Sequence, residues 1–333
     1  MAVHDLGYER WDGSLQGRRL RWVPMVGYHV SLILKRKFIW LLLLASLIPA
    51  LVFSAAIYIT SDSAREGTGM EQAMSAVPAG QDRLSPVDLM LSQFLADRTP
   101  QGEDEEPKAP LTMEEKYWLI TTHGLFFLLL WPQSFIVMFV ASAVGAGLIA
   151  QDIRSNALEI YLTKPITPLD YILGKLSVVS VFILFTTFLP AMIVFGVAAA
   201  SWQGFFGVAW PVIPLLFGVC LIASVVNGIV ILGLSSLAKS ARYATVIWFA
   251  IGFISSASAS FLRIFTEENL WNFVSYRDNF LYLFAKCLDI NLARIPGAQD
   301  PTASVWIPIS VLGVLVLLSA LVMRRTIRAV EAS

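Results

Sequence analysis

Few side chains in this sequence are of types, and at spacings, that could do chemistry. Gly174-Lys175-Leu176-Ser177 comes nearest to a phosphate-cradling loop. Such a loop needs Gly-x-x-x-x-Gly-Lys-Ser/Thr so that successive backbone amides ring the phosphates, and here the earlier Gly and the hydroxyl directly after Lys are missing. His4, His29 and His123 are dispersed with no metal-ligand spacing, so no metal site is expected. His123 has no evident Asp or Glu partner in the apolar runs, which leaves a Ser-His-Asp arrangement without its third member. Cys220 lies inside an apolar run and Cys287 in a later loop. Both read as small buried hydrophobes rather than as a disulfide or a thiolate site. Catalysis within the chain is not expected, and the chain itself calls for no cofactor.

The densest polar chemistry is instead an island, Gln151 to Lys175, between two long apolar stretches. Asn156 can cap a helix with Glu159 at its third position, and Pro165 stops that helix, which predicts a short helix over about 157–163. Its Leu158, Ile160, Tyr161 and Leu162 make it apolar on more than one side, suited to insertion in a protein groove. Thr167, Pro168 and Asp170 give a second start signal: Thr as cap, Pro at the first helical position and an acidic residue at the third. The third apolar helix begins there.

The elements that must hold this island are membrane spans. The chain has 333 residues, 56% hydrophobic and only 14% charged, with mean hydropathy +0.68, against about 25% charged in ordinary soluble domains. The formal net charge is zero, so an electrostatic nucleic-acid footprint is absent. About 20 apolar residues cross a hydrocarbon core, and six such runs are present: Phe38 to Ile59, Tyr117 to Ile149, Leu176 to Ala200, Val208 to Leu237, Ala244 to Phe265 and Ala303 to Met323. Pro132, Pro211 and Pro214 are the expected kink points in the two overlong runs. The polar stretch before the first run does not resemble a cleavable signal peptide, so that run is expected to stay in the mature protein.

Lys and Arg close to the spans set the orientation. Arg10, Arg18, Arg19, Arg21, Lys35, Arg36 and Lys37 precede the first span, and Arg324, Arg325 and Arg328 follow the sixth. Both termini are expected in the cytoplasm, together with the island and the Lys239 to Arg242 link. The chain then divides into a cytoplasmic N-terminus, 1–37, and a six-span domain, 38–333. The latter has an external loop at about 60–116, the cytoplasmic island at 150–175, an external segment at about 266–302 and a cytoplasmic C-terminus, 324–333.

Before the first span, Trp22, Met25, Val26, His29, Val30 and Ile33 recur at helical spacing beside Arg18, Arg19 and Arg21. A basic amphipathic helix on the inner leaflet follows, with His29 as an interfacial side chain. The acidic external loop, with Glu103 to Glu106, is expected to hold one short helix from Ser85 and otherwise a solvated face. In the second external segment Phe280, Leu283, Phe284, Cys287 and Leu288 share one helical face, which predicts an amphipathic helix at the outer interface.

Inside the spans Gln133 and Asn227 are the main polar groups, and charges are nearly missing. That speaks against an ion-coupled carrier. Asn227-Gly228, Gly145, Gly147 and Gly218 read as helix-packing surfaces, with Gln133 and Asn227 as a weaker reading of a substrate path. A path lined by Phe, Leu, Val and Ser would suit an amphipathic or lipid-like cargo.

The pattern of Asp152, a Leu-Glu helix, Lys164-Pro165-Ile166, Asp170-Tyr171 and Gly174-Lys175 resembles the signature of ABC transporter permeases of type 2. The six-span layout, the helix before the first span and the helical segment before the sixth are similar as well. The resemblance implies an all-α integral membrane protein in a cell inner membrane, working as a dimer of permease copies or homologues. It implies a cytoplasmic coupling helix between spans two and three, seated in a cleft of a separate ATPase subunit, with ATP and Mg2+ bound on that partner. Asp152, Arg154, Leu158, Glu159, Tyr161, Leu162, Lys164 and Pro165 would transmit the partner's ATP-driven closure, in a transporter expected to be an exporter. The competing reading of these residues is a well-capped interfacial loop with snorkelling charges. Two alternative functions stay open. One is a membrane subunit relaying ATPase motion to an extracytoplasmic partner, which the long acidic loop favours. The other is an ATP-independent channel or carrier.

Overall fold

A computed structural model describes residues 22–65, 126–157, 167–202, 204–238, 240–288, 290 and 303–331. Among these the secondary structure is helical throughout. The elements are α1 (Val23–Leu34), α2 (Lys37–Arg65), α3 (Phe126–Gly145), α4 (Ala150–Arg154), α5 (Pro168–Ser201), α6 (Phe205–Ala209), α7 (Val212–Leu237), α8 (Ala241–Thr266), a 3-10 turn (Asn269–Val274), α9 (Tyr276–Cys287) and α10 (Trp306–Glu331). Six segments are long and apolar enough to cross a membrane: Lys37–Tyr58, Phe126–Arg154, Pro168–Ser201, Val212–Leu237, Ala241–Thr266 and Trp306–Ile327. The protein is an all-α, multi-pass membrane protein. The helix expected from Ser85 lies outside the described residues.

The centre of the bundle is α5, which packs on α2, α3 and α7, and α7 in turn packs on α10. α8 and α10 are far more exposed than α5, as helices at the periphery of an apolar medium can be. The core has two storeys. One, around Phe126, Phe195, Trp202, Phe205 and Tyr282, fills the end of the bundle near α9. The other, around Ile39, Val179, Ile183, Ile231 and Trp248, fills the end near α1.

Two of the three expected kink points are corrected. Pro211 caps α7 and Pro214 falls in its first turn, where backbone amides lack helical partners in any case, so a proline costs no hydrogen bond there. The apolar run from Val208 instead divides into the short α6 and a separate α7. Pro132 does lie inside α3, and Pro49 and Pro190 lie inside α2 and α5. Of the small residues assigned to packing, Gly145 and Gly228 stand against Ile231 and Leu176, close enough that an added methyl group would meet them at 2.6 and 2.7 Å. Gly218 faces open space. Cys220 is buried, but Cys287, the last residue of α9, is exposed.

Candidate functional site

The polar island leaves the bundle through a break in the second span. Helical pairing stops at Gly145, and the chain resumes as α4 only at Ala150. The amides freed by this break need partners in a setting without water. Ser235, fully buried on α7, supplies them: its Oγ accepts from the amides of Ile149 and Ala150 at 3.1 and 3.0 Å and donates to the Ala146 carbonyl at 2.8 Å. One serine thus fixes the geometry with which the island departs. The sequence reading missed it, since a single Ser in an apolar run has many uses.

α4 brings Asp152 inward and leaves Arg154 exposed at its C-terminal turn. Asn156, one residue past the cap Ser155, adopts φ 54°. That left-handed conformation is the usual way for a helix to end, and Asn tolerates it better than most residues. Ala157 is helical again. Leu158, Glu159, Tyr161, Leu162, Lys164 and Pro165 lie outside the described residues.

The island returns at Thr167. Its Oγ1 accepts from the Asp170 amide at 3.2 Å while Asp170 Oδ2 accepts from the Thr167 amide at 3.1 Å, a reciprocal capping box with Pro168 at the first helical position. One and two turns further along α5 stand Tyr171 and Gly174-Lys175. Gly174 faces α1 at close range: a Cβ there would meet the methyl end of Met25, which would have to turn aside.

This approach assembles a buried cluster. Lys175 is 1% exposed, and its Nζ sits 2.7 Å from Asp152 Oδ2 and 2.8 Å from His29 Nε2. The Tyr171 hydroxyl donates to the same Asp152 oxygen at 2.7 Å, and the Lys175 ammonium also lies 5.5 Å from the Tyr171 ring centre. An ammonium only donates, so His29 Nε2 accepts from it. Nδ1 then carries the proton, which it donates to the Met25 carbonyl at 2.8 Å. Burial, and next the neighbouring Lys175 charge, hold the His29 imidazole below the ordinary histidine range, consistent with a neutral ring. The lysine therefore does not snorkel to the surface. Nor is His29 an interfacial side chain: at 7% exposure it points into the bundle, because α1 is held on the α5 surface.

Asp152 and Lys175 stand on either side of the island, so their ion pair closes the segment at its base, and His29 ties that base to α1. Of the residues singled out in the sequence, the structure brings together Asp152, Lys175 and, through the capping box, Thr167 and Asp170. Arg154 and Asn156 stand apart on the exposed side. His29 and Tyr171 complete the cluster, and only the helical spacing of the pre-span segment could have hinted at the former.

Gln133 and Asn227 lie toward the other end. Asn227 Nδ2 donates to the Ala223 carbonyl at 2.7 Å, and Oδ1 accepts from the Tyr276 hydroxyl at 3.0 Å. Gln133 Nε2 donates to the Ser46 carbonyl at 2.6 Å. Asn227 thereby has both amide ends engaged, one within α7 and one across to α9.

A family model described as ABC-2 family transporter protein matches residues 31–325. No curated protein matches the sequence.

Proposed function

The chain belongs to the ABC-2 transporter family and is a membrane subunit of an ABC transporter, and from that premise we propose that it is an exporter permease driven through the island between its second and third spans. A separate ATPase subunit docks beneath residues 152–165, with ATP and Mg2+ held on that partner. Two permease copies, or this chain and a homologue, enclose the path of an amphipathic or lipid-like cargo across an inner membrane, with both termini and the island on the cytoplasmic side. Asp152, Arg154, Leu158, Glu159, Tyr161, Leu162, Lys164 and Pro165 carry the coupling.

The observation that most supports this reading is the buried Asp152–Lys175 pair. A surface loop between two helices needs no ion pair at its base, and taking the Lys175 charge out of water is costly. A segment that must push on the spans does benefit from such a base. Closed by the ion pair and pinned to α1 through His29, the base of the island at Asp152 and Lys175 is tied to the ends of α4 and α5. A force delivered at 158–165 then biases the spans between two arrangements.

The test is co-purification in mild detergent from the native host. An ATPase subunit should accompany the chain and be lost when Leu158 and Tyr161 are both replaced by Asp. A chain that repeatedly purifies alone, and supports flux in vesicles without ATP, would overturn the reading in favour of a channel or carrier.

A further inference from the structure

Between α3, α5, α7, α9 and α10, at the α9 end of the bundle, lies a cavity of about 300 Å3. Its walls run from Leu130 to Met138 on α3 and from Val219 to Asn227 on α7, in both cases about 12 Å of helix. That depth fits within one leaflet of a hydrocarbon core about 30 Å thick. The polar side chains on its border are engaged elsewhere. Ser134 and Thr187 donate to the Trp131 and Ile183 carbonyls of their own helices, and the Tyr276 hydroxyl donates to Asn227, whose amide nitrogen donates to the Ala223 carbonyl. Gln133 Nε2 is spent on the Ser46 carbonyl, and Oε1 is enclosed by protein. The Arg277 guanidinium lies against Phe135 and Trp131, rings that are not part of the wall. What faces the space is therefore nearly all carbon. Water in such a space needs two to four polar partners, and a dry cavity of only about 150 Å3 already takes up benzene.

The mouth of the cavity opens sideways. Toward the α1 end α7 and α10 run so close that a methyl group added to Gly233 would meet Ser319 Cα at 2.9 Å. Ile222 and Ile309 precede these two contact points on their helices by about three turns, or about 15 Å, on the side toward α9. Both line the cavity, yet they are 65% and 43% exposed. They belong at once to the wall and to the surface that two membrane spans turn outward, so the space is continuous with the hydrocarbon around the protein. α9 borders the same space through Leu283 and Phe284. We propose that the cavity takes one alkyl chain of a bilayer phospholipid, entering between α7 and α10 from the leaflet on the α9 side, and that it selects for the chain and not for the head. Wall atoms facing an empty space have no partners for dispersion contact, and a chain at the mouth supplies them. The cavity lies within one chain, so occupancy needs no second copy. The assay needs no ATPase either, so its failure leaves the coupling reading untouched.

The test is photolabelling of the full chain in nanodiscs of phosphatidylcholine that carries a diazirine in mid-chain, with labelled residues mapped by mass spectrometry. Cys220 lines the cavity but is 3% exposed, so bulk lipid does not reach it. It should be labelled, alongside Leu317 and Leu321, which α10 exposes to bulk lipid and which serve as the internal reference. Ala223→Trp, which fills the space from α7, should remove most of the Cys220 label and leave the reference unchanged. Leu283→Trp fills it from α9 and should do the same, so the test survives the failure of either variant to fold. Phosphatidylglycerol with the same chain should label Cys220 as phosphatidylcholine does. Label on Leu317 and Leu321 with none on Cys220 in the wild type would overturn the proposal, whatever the variants do. So would Cys220 labelling that persists in both folded variants, or that is confined to one of the two head groups.

Discussion

The two ends of the bundle solve the same problem, joining an extra helix to the spans, with opposite chemistry. At one end α1 is joined by charge: a buried lysine, a carboxylate and a neutral imidazole. At the other, among the described residues, the hydrogen bonds that join α9 to the spans are between neutral groups. Ser275 caps α9 by accepting from the Asp278 amide, and its hydroxyl meets that of Ser256 at 2.9 Å. The Tyr276 amide donates to Ser255 Oγ, and the Tyr276 hydroxyl donates to Asn227. Neutral hydrogen bonds hold helices together at modest cost, each worth about 1 kcal/mol net. A buried ion pair is a poorer adhesive and a sharper specifier of geometry, because breaking it leaves an unpaired charge. The contrast separates an end built to stay assembled from an end built to hold one defined arrangement.

The largest expected effect is therefore at the charged end. Lys175→Met leaves Asp152 without its cation in a largely apolar setting and should cost about 3 kcal/mol, at the low end of values for half-broken buried pairs because the carboxylate keeps Tyr171 and some solvent. Thermal unfolding of the purified chain reads it. Adding Asp152→Asn should recover most of the loss. If the single variant is as stable as the double, the pair is not what organises this end.

The neutral end should respond more weakly. Tyr276→Phe removes the donor to Asn227 Oδ1 and leaves a buried amide oxygen unpaired, a loss of about 1–2 kcal/mol. A double-mutant cycle with Asn227→Ala should show that most of this loss belongs to the pair. Additive effects would mean that Tyr276 acts through its ring packing on Trp248 instead.

Smaller still is the capping box. Thr167→Ala should cost about 1 kcal/mol, and Thr167→Ser, which keeps the hydroxyl, should cost little. A Ser variant as damaging as Ala would show that the methyl group, not the hydrogen bonds to Asp170, matters at this position.

What the sequence discloses follows the same divide between local and distant chemistry. The spans are legible because apolar length is a property of a contiguous stretch. The start of α5 is legible because Thr167, Pro168 and Asp170 spell it within four residues. The cluster beneath the island is not, since His29 meets Lys175 across 146 positions and nothing local distinguishes a histidine facing headgroups from one facing a lysine. The break at 146–149 is hidden for a related reason: Gly145 and Gly147 suit close packing and a broken helix equally, and the serine that stabilises the break sits on another span. The docking face of the island, Leu158 to Pro165, rests on the sequence pattern and awaits its partner.

The smallest effect discriminates best between the two ends, because it depends on charge alone. His29 is held below the ordinary value of 6.5, first by burial and then by Lys175, with the Met25 carbonyl and Asp152 pulling the other way. The unfolded chain then takes up a proton near pH 6.5 that the folded chain refuses, so stability is constant above about pH 7 and falls as pH drops through 6.5. The groups acting on the ring are Lys175, Asp152 and the Met25 carbonyl, with the Tyr28 ring edge-on at 5.5 Å, and a protonated His29 would also lose its role as acceptor from Lys175. At the α9 end burial pushes the Tyr276 phenol well up from its usual value, so its hydroxyl remains a donor throughout this range. Unfolding temperatures measured from pH 8 to 5.5 should slope downward for the wild type and for Tyr276→Phe alike. In His29→Gln, which keeps an uncharged acceptor for Lys175, the slope should flatten. An unchanged slope in His29→Gln would move the titrating group elsewhere and leave the charged end no more pH-sensitive than the neutral one.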